Sequence, residues 1–301
     1  MDRYRRPGAR CAPEGPHRHH ARGGRVNTAD GASARPAEDL RAALRALADP
    51  ARADQQRAYL HSDLDHLGVR VPDLRHCVTR TRRVLGAQAG SAVLALAGAL
   101  WSAQEGSEKP VYDDRRAAVE ILVQYAGALD AADLEDVETL LRQCRTWALV
   151  DPLAVHCAGA VALRDAAAGR VLDRWITDPD FWLRRTALLA LLPAIRAGWP
   201  DGDRLTRYAD ALVHEQEFFL RKALGWVLRE TSTRDPQFVR DWLARHGSRV
   251  APPHPQGGAA PPDAQGGSGP WAAATRHAGG CACTATPMTP GRASAAAGTC
   301  A

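Results

Sequence analysis

No apolar run in this chain is long enough to cross a bilayer. The longest near-apolar stretch, Ser91 to Trp101, falls well short of the roughly 20 residues a spanning helix needs. The N-terminal arginines have no apolar block behind them, so no secretory signal is expected, and an intracellular, cytoplasmic and nucleoid-associated protein is. Strand signatures are missing too: there are no alternating apolar and polar runs, and no Asn-Gly or Asp-Gly turn between β-branched residues. The seven cysteines (Cys11, Cys77, Cys144, Cys157, Cys281, Cys283, Cys300) are an odd set with no disulfide framework, and are read as free thiols. Cys281 and Cys283, like His17, His19 and His20, lack a second half-site, so no metal site is expected.

What remains is a chain of 301 residues, 45% hydrophobic and 24% charged, which is enough to build a packed core. The net charge of +5 and the isoelectric point near 9.0 invite a nucleic-acid reading, but the charge is unevenly spread. Residues 1–37 carry eight arginines against three acids, residues 38–247 carry 28 bases against 30 acids, and residues 248–301 carry three against one. The central region is therefore slightly acidic, and it binds phosphate only where its cations gather on one face. Residues 1–37, rich in Gly, Pro, His and Arg, and residues 248–301, rich in Ala, Gly, Pro and Ser, are expected to be disordered tails.

Between the tails the apolar periodicity is helical throughout: Ala37–Leu47, Ala53–His61, Pro72–Leu85, Ser91–Trp101, Asp113–Ala126, Ala132–Cys144, Trp147–Leu163, Ala168–Ile176, Phe181–Leu192, Leu205–His214, Glu217–Glu230 and Pro236–His246. A dozen helices with short connections predict an all-α domain. Consecutive antiparallel pairs, each burying a face on the next, predict an α-solenoid, with a globular bundle as the other solution.

Several side chains fit a purely structural role poorly. In Glu217–Glu230 the packing stripe is Leu220, Ala223, Leu224, Val227 and Leu228, and Trp226 falls outside it with Phe219, Lys222 and Arg229. Either a neighbouring repeat or a ligand covers that ring. Trp147 and Asp151, four apart, share a helix face. Asp151 precedes Pro152, however, and Asp then Pro is also an ordinary helix start, while a proline inside a continuing helix removes a backbone bond and bends it. Arg185 points away from the stripe Leu183, Ala187, Ala190 and Leu191, towards an acidic partner or a groove. The run Arg75–Arg83 brings Arg75, His76, Arg80, Arg82 and Arg83 together, as a solvated face or a phosphate site.

These residues fall in an order that resembles the bacterial DNA alkylation repair family of AlkD-like glycosylases. The likeness covers about 190 residues, through RAYLHSDLDHLGVRVPDLR (Arg57–Arg75), VEILVQY (Val119–Tyr125), TWALVD (Thr146–Asp151), DFWLRRTALLALL (Asp180–Leu192) and, most specifically, EFFLRKALGWVLRE (Glu217–Glu230). It implies a C-shaped superhelix of HEAT-like repeats that grips double-stranded DNA and removes N3- and N7-alkylated purines without a metal or nucleotide cofactor. Carried over by position, the resemblance implies that Asp151 stabilises the sugar cation, that Trp147 and Trp226 pack on the deoxyribose, and that Arg185 holds a phosphate. Tyr59, Lys222, Arg80, Arg82 and Arg83 are the further DNA contacts expected. Thr146 stands where the family commonly has a second aromatic, and Pro152 directly follows the acid. The implied protein is a monomer with no obligate protein partner. Two other functions share the scaffold: a catalytically silent DNA-binding protein and a helical-repeat protein–protein scaffold.

Overall fold

The computed structural model describes residues 31–247, apart from 105, 107, 199 and 200, and all of the described residues lie in one compact unit. Its helices are α1 (Gly31–Arg45), α2 (Pro50–Leu60), α3 (Val71–Leu85), α4 (Gly90–Trp101), α5 (Tyr112–Gln124), α6 (Leu134–Leu141), α7 (Trp147–Pro152), α8 (Gly159–Arg164), α9 (Ala168–Trp175), α10 (Phe181–Leu189), α11 (Leu192–Arg196), α12 (Gly202–Leu212), α13 (Phe218–Ser232) and α14 (Pro236–His246). A 3₁₀ turn, Ala126–Ala128, follows α5, and a π-turn, Leu153–Ala158, joins α7 to α8. Among the described residues no strand forms; Asp65 and Val111 make one isolated bridge. The fold is an all-α helical repeat.

The twelve expected helices are all present. The largest shift is at the start, where α1 begins at Gly31 and runs through Pro36, so residues 31–37 belong to the first helix and not to the tail. The short α11 is a separate helix because Pro193 sits at its first turn, where a missing N–H costs nothing. Acidic caps set several starts: Asp49, Asp180, Asp201 and Asp235 each accept a backbone N–H from the first turn that follows.

Packing follows chain order. Helix α4 lies on α1 and α5, α3 lies on α1 and α5, and α5 passes the contact on to α7 and the π-turn. From there α10 carries it to α13, which holds α14. One continuous apolar core threads these layers, from Leu40 and Leu74 through Ile121, Leu149 and Leu188 to Val227 and Trp242. Buried indoles keep their N–H groups satisfied: Trp175 donates to Glu138 (2.7 Å) and Trp242 to Asp210 (2.8 Å).

Candidate functional site

The site grows from α7. Thr146 caps this helix, its hydroxyl oxygen accepting from the Ala148 N–H at 3.4 Å. Trp147 is therefore the first helical residue and Asp151 stands one turn inside. The helix-start reading of Asp151-Pro152 does not hold. The chain continues helically past Pro152, and it accommodates the proline by changing pitch: the Leu153 N–H bonds to Val150 O, three residues back, and the π-turn closes with the Gly159 N–H on Ala154 O, five residues back. Gly159 is required there, because a Cβ would stand 2.8 Å from Ala190 O and 2.9 Å from Pro193 Cγ.

Asp151 is 4% exposed and Arg185, from α10, is 5% exposed. They form a two-pronged pair, with Arg185 Nε on Oδ1 at 2.7 Å and Nη2 on Oδ2 at 2.8 Å. The third guanidinium nitrogen, Nη1, donates to Phe219 O at the start of α13. Each of the three nitrogens of Arg185 thus makes one hydrogen bond to the protein. The acidic-partner reading holds: the guanidinium grips Asp151 and ties α7, α10 and α13 together. Each Asp151 oxygen keeps a lone pair beyond the one that Arg185 uses.

Trp147 is half-buried and meets the ring of Tyr59 edge-on, centroids 6.2 Å apart and planes at 83°. Tyr59 itself is 60% exposed, an unusual position for so large a ring. Trp226 lies on α13, two turns beyond Phe219. Its predicted stripe, Leu220, Ala223, Leu224, Val227 and Leu228, is buried, and Trp226 stays half-buried outside it. Neighbouring charges partly cover the ring: its N–H donates to Glu230 Oε1 at 3.1 Å, and the Arg196 guanidinium sits 5.8 Å from the ring centroid. Arg196 also grips Glu230 at 3.0 and 3.3 Å, which holds that carboxyl below its usual range. The structure therefore brings Asp151 to Arg185 and Trp147 to Tyr59, and places Trp226 with Arg196 and Glu230.

The expected basic cluster on α3 divides. Arg75 turns to Glu120 of α5 at 3.2 Å and Arg82 to the ring of Tyr125 at 5.2 Å, while Arg80 and Arg83 stand exposed on another face. Positions 75, 79 and 82 share one helical face and 76, 80 and 83 the next, so a run of like charge became two rows. Lys222 is exposed with its ammonium 5.0 Å from the Phe218 ring centroid. The sequence reading missed Arg116, Glu120 and His156, which lie behind these rows. Among the described residues no group of three His, Cys, Asp or Glu side chains could hold a metal, and Cys77, Cys144 and Cys157 are free. The paired Cys281 and Cys283 and the histidines 17, 19 and 20 lie outside the described residues. No described helix is long and apolar enough to cross a membrane.

The chain matches the family described as "DNA alkylation repair enzyme" over residues 40–254. A solved protein from Enterococcus faecalis, described as a "predicted DNA alkylation repair enzyme", is similar in fold. It is 20% identical with a TM-score of 0.58, over 66% of this chain and 89% of that one. A Streptococcus mutans UA159 structure is 17% identical with a TM-score of 0.43, over 59% of this chain and 95% of that one. No curated protein matches. The family match takes in every element from α2 to α14 and each residue of the site built above, so the chain belongs to the DNA alkylation repair enzyme family.

Proposed function

We propose that the protein is a DNA glycosylase that hydrolyses the N-glycosidic bond of N3- and N7-alkylated purines in duplex DNA. Alkylation at either nitrogen makes the purine cationic and already a good leaving group. The enzyme's task is then to stabilise the oxocarbenium character that develops on the deoxyribose as the bond breaks. The observation that carries the reading is Asp151: a carboxylate buried within a helix, serving no cap, and fixed in orientation by a two-pronged arginine.

In this role the free lone pairs of Asp151 oppose the charge growing at C1′ and orient the attacking water, effects of the type that typically contribute on the order of 10²–10⁴-fold. Arg185 acts as a positioning residue. It removes the rotational freedom of the carboxylate before substrate arrives. Trp147 and Trp226 supply apolar ring faces that pack on the sugar and exclude water, and Tyr59, at the edge of Trp147, extends that surface toward the strand. Arg80, Arg82, Arg83 and Lys222 contribute backbone contacts. The domain acts as a monomer on DNA.

The test is release of free base from a duplex carrying a single 7-methylguanine. The native protein is expected to release it faster than spontaneous depurination. Release at the spontaneous rate together with duplex binding would instead identify a catalytically silent DNA-binding protein on the same scaffold.

A further inference from the structure

Helix α5 buries more charge than the repeat core requires. Arg116 is 4% exposed; its Nη2 lies 3.9 Å from Glu120 one turn on, and its Nη1 is buried without a partner. Glu120 is shared further: Arg75 of α3 donates Nε to Oε2 at 3.2 Å, and Gln124 donates to Oε1 at 3.3 Å. One carboxylate thus answers two guanidiniums, leaving a largely buried surplus of positive charge, which is costly unless an anion completes it.

The π-turn delivers His156 to this place. Its rings close after five residues where an α-helix closes after four, so the face begun by Trp147 and Asp151 is continued by His156. Val155, the residue an unbroken helix would put there, is buried in the core, while His156 is only partly buried. The π-turn packs on both α5 and α11, and the charges that act on the imidazole are Arg196, Glu120, Arg75 and Arg116. Burial and then Arg196 hold its pKa below the usual histidine range, so at neutral pH it stays an uncharged ring. Arg196 is partly exposed and already paired with Glu230. Arg75, Arg116 and Arg196, from three elements, thus lie within electrostatic reach of the imidazole that a fourth element, the π-turn, presents.

We propose that Arg75, His156 and Arg196, backed by Arg116 and Glu120, form a seat for one phosphodiester of the DNA strand, separate from the Asp151–Arg185 pair on the same helical run. The proposal rests on the reading that the protein acts on duplex DNA. Arg75 is the mobile member: on binding, its half-exposed guanidinium turns from Glu120 to a non-bridging phosphate oxygen. Arg116 then takes the whole of Glu120 and is satisfied at last, while Arg196 approaches the same phosphate. The surplus charge on α5 is thus neutralised only in the complex.

Binding of an undamaged duplex, followed by fluorescence anisotropy at several salt concentrations, tests the seat with the full chain. Duplex binding loses about 0.9 from its log–log salt slope for each phosphate contact removed. If Arg75 and Arg196 grip one phosphate, the R75Q/R196Q double variant should lose about 0.9 in all. A loss near 1.8 would mean two separate phosphates and a loss near zero would mean none, and either would overturn the proposal. Glu120→Gln supplies an independent arm: it frees Arg75 from its competitor and should tighten duplex binding several-fold, whereas a purely structural ion pair would give unchanged or weaker binding. Thermal melting of each variant shows that it is folded. Because undamaged DNA is used, the seat can fail while 7-methylguanine release persists, and release can be absent while the seat is upheld.

Discussion

Asp151 and Arg185 are a buried ion pair, and such pairs contribute more to geometry than to stability. Desolvating both charges offsets most of their attraction, but removing one partner strands the other in an apolar interior at about 3–5 kcal/mol. Arg185→Ala is therefore expected to lower the unfolding free energy by about that much, read from the urea midpoint, and to abolish base release. Arg185→Lys separates the two roles. It keeps the charge and loses the planar fork, so Asp151 should remain paired but less firmly aimed. Release should fall by at least tenfold with a much smaller stability loss. Equal stability losses for Ala and Lys would contradict this. At the same scale, Trp226→Ala should slow base release far more than it weakens duplex binding, because the ring is assigned to the sugar in the transition state.

At the scale of elements, the α7–π-turn–α8 run sets the site. Its geometry depends on Gly159, where an added methyl would press on the Ala190 carbonyl. Gly159→Ala should push α8 from the α10–α11 corner at a cost of about 1–3 kcal/mol and disturb base release, although residue 159 touches no DNA in this account. The loop before α3 offers a second test. His66 stacks on Tyr112 with centroids 4.6 Å apart, and burial, then Arg57, lowers its pKa to about 4. The unfolded chain takes up this proton from about pH 6.5 downward and the folded chain only near 4, so the stability contributed by His66 is complete above 6.5 and is lost as pH falls toward 4. Melting temperatures between pH 7 and 5 should fall more steeply for the native protein than for His66→Gln. Much of this layer was legible beforehand, since periodicity locates all twelve expected helices and the buried stripe of α13. The π-turn was not. Nothing in Asp151-Pro152 distinguishes a helix start from a proline absorbed mid-helix; Thr146, capping five residues earlier, decides it, and with it the register that exposes His156.

For the molecule as a whole, charge that the sequence places in runs is redistributed by packing across helices. A run such as Arg75–Arg83 splits between two faces, and the arginine that resembles a phosphate ligand by position turns inward to an acid 34 residues away. Family resemblance singled out Asp151, Trp147, Trp226 and Arg185 by their positions in the sequence. It could not say which of them touch, because pairing depends on how α7, α10 and α13 stack. The charges of α5 carry no local signal of their burial: Asp113, Asp114, Arg115 and Arg116 stand in one run at the start of the helix and are all buried. Asp113 shows the cause: it accepts the backbone N–H groups of Leu67 and Val69 at 2.7 and 3.0 Å, a long-range tie that no local pattern announces. The most direct test of the central claim is the single-turnover rate of 7-methylguanine release by the native protein and by Asp151→Asn, with duplex binding measured on the same preparations. The account predicts that the variant binds DNA comparably and releases base at least 10²-fold more slowly. A variant that is folded, binds and releases base at the native rate would contradict it.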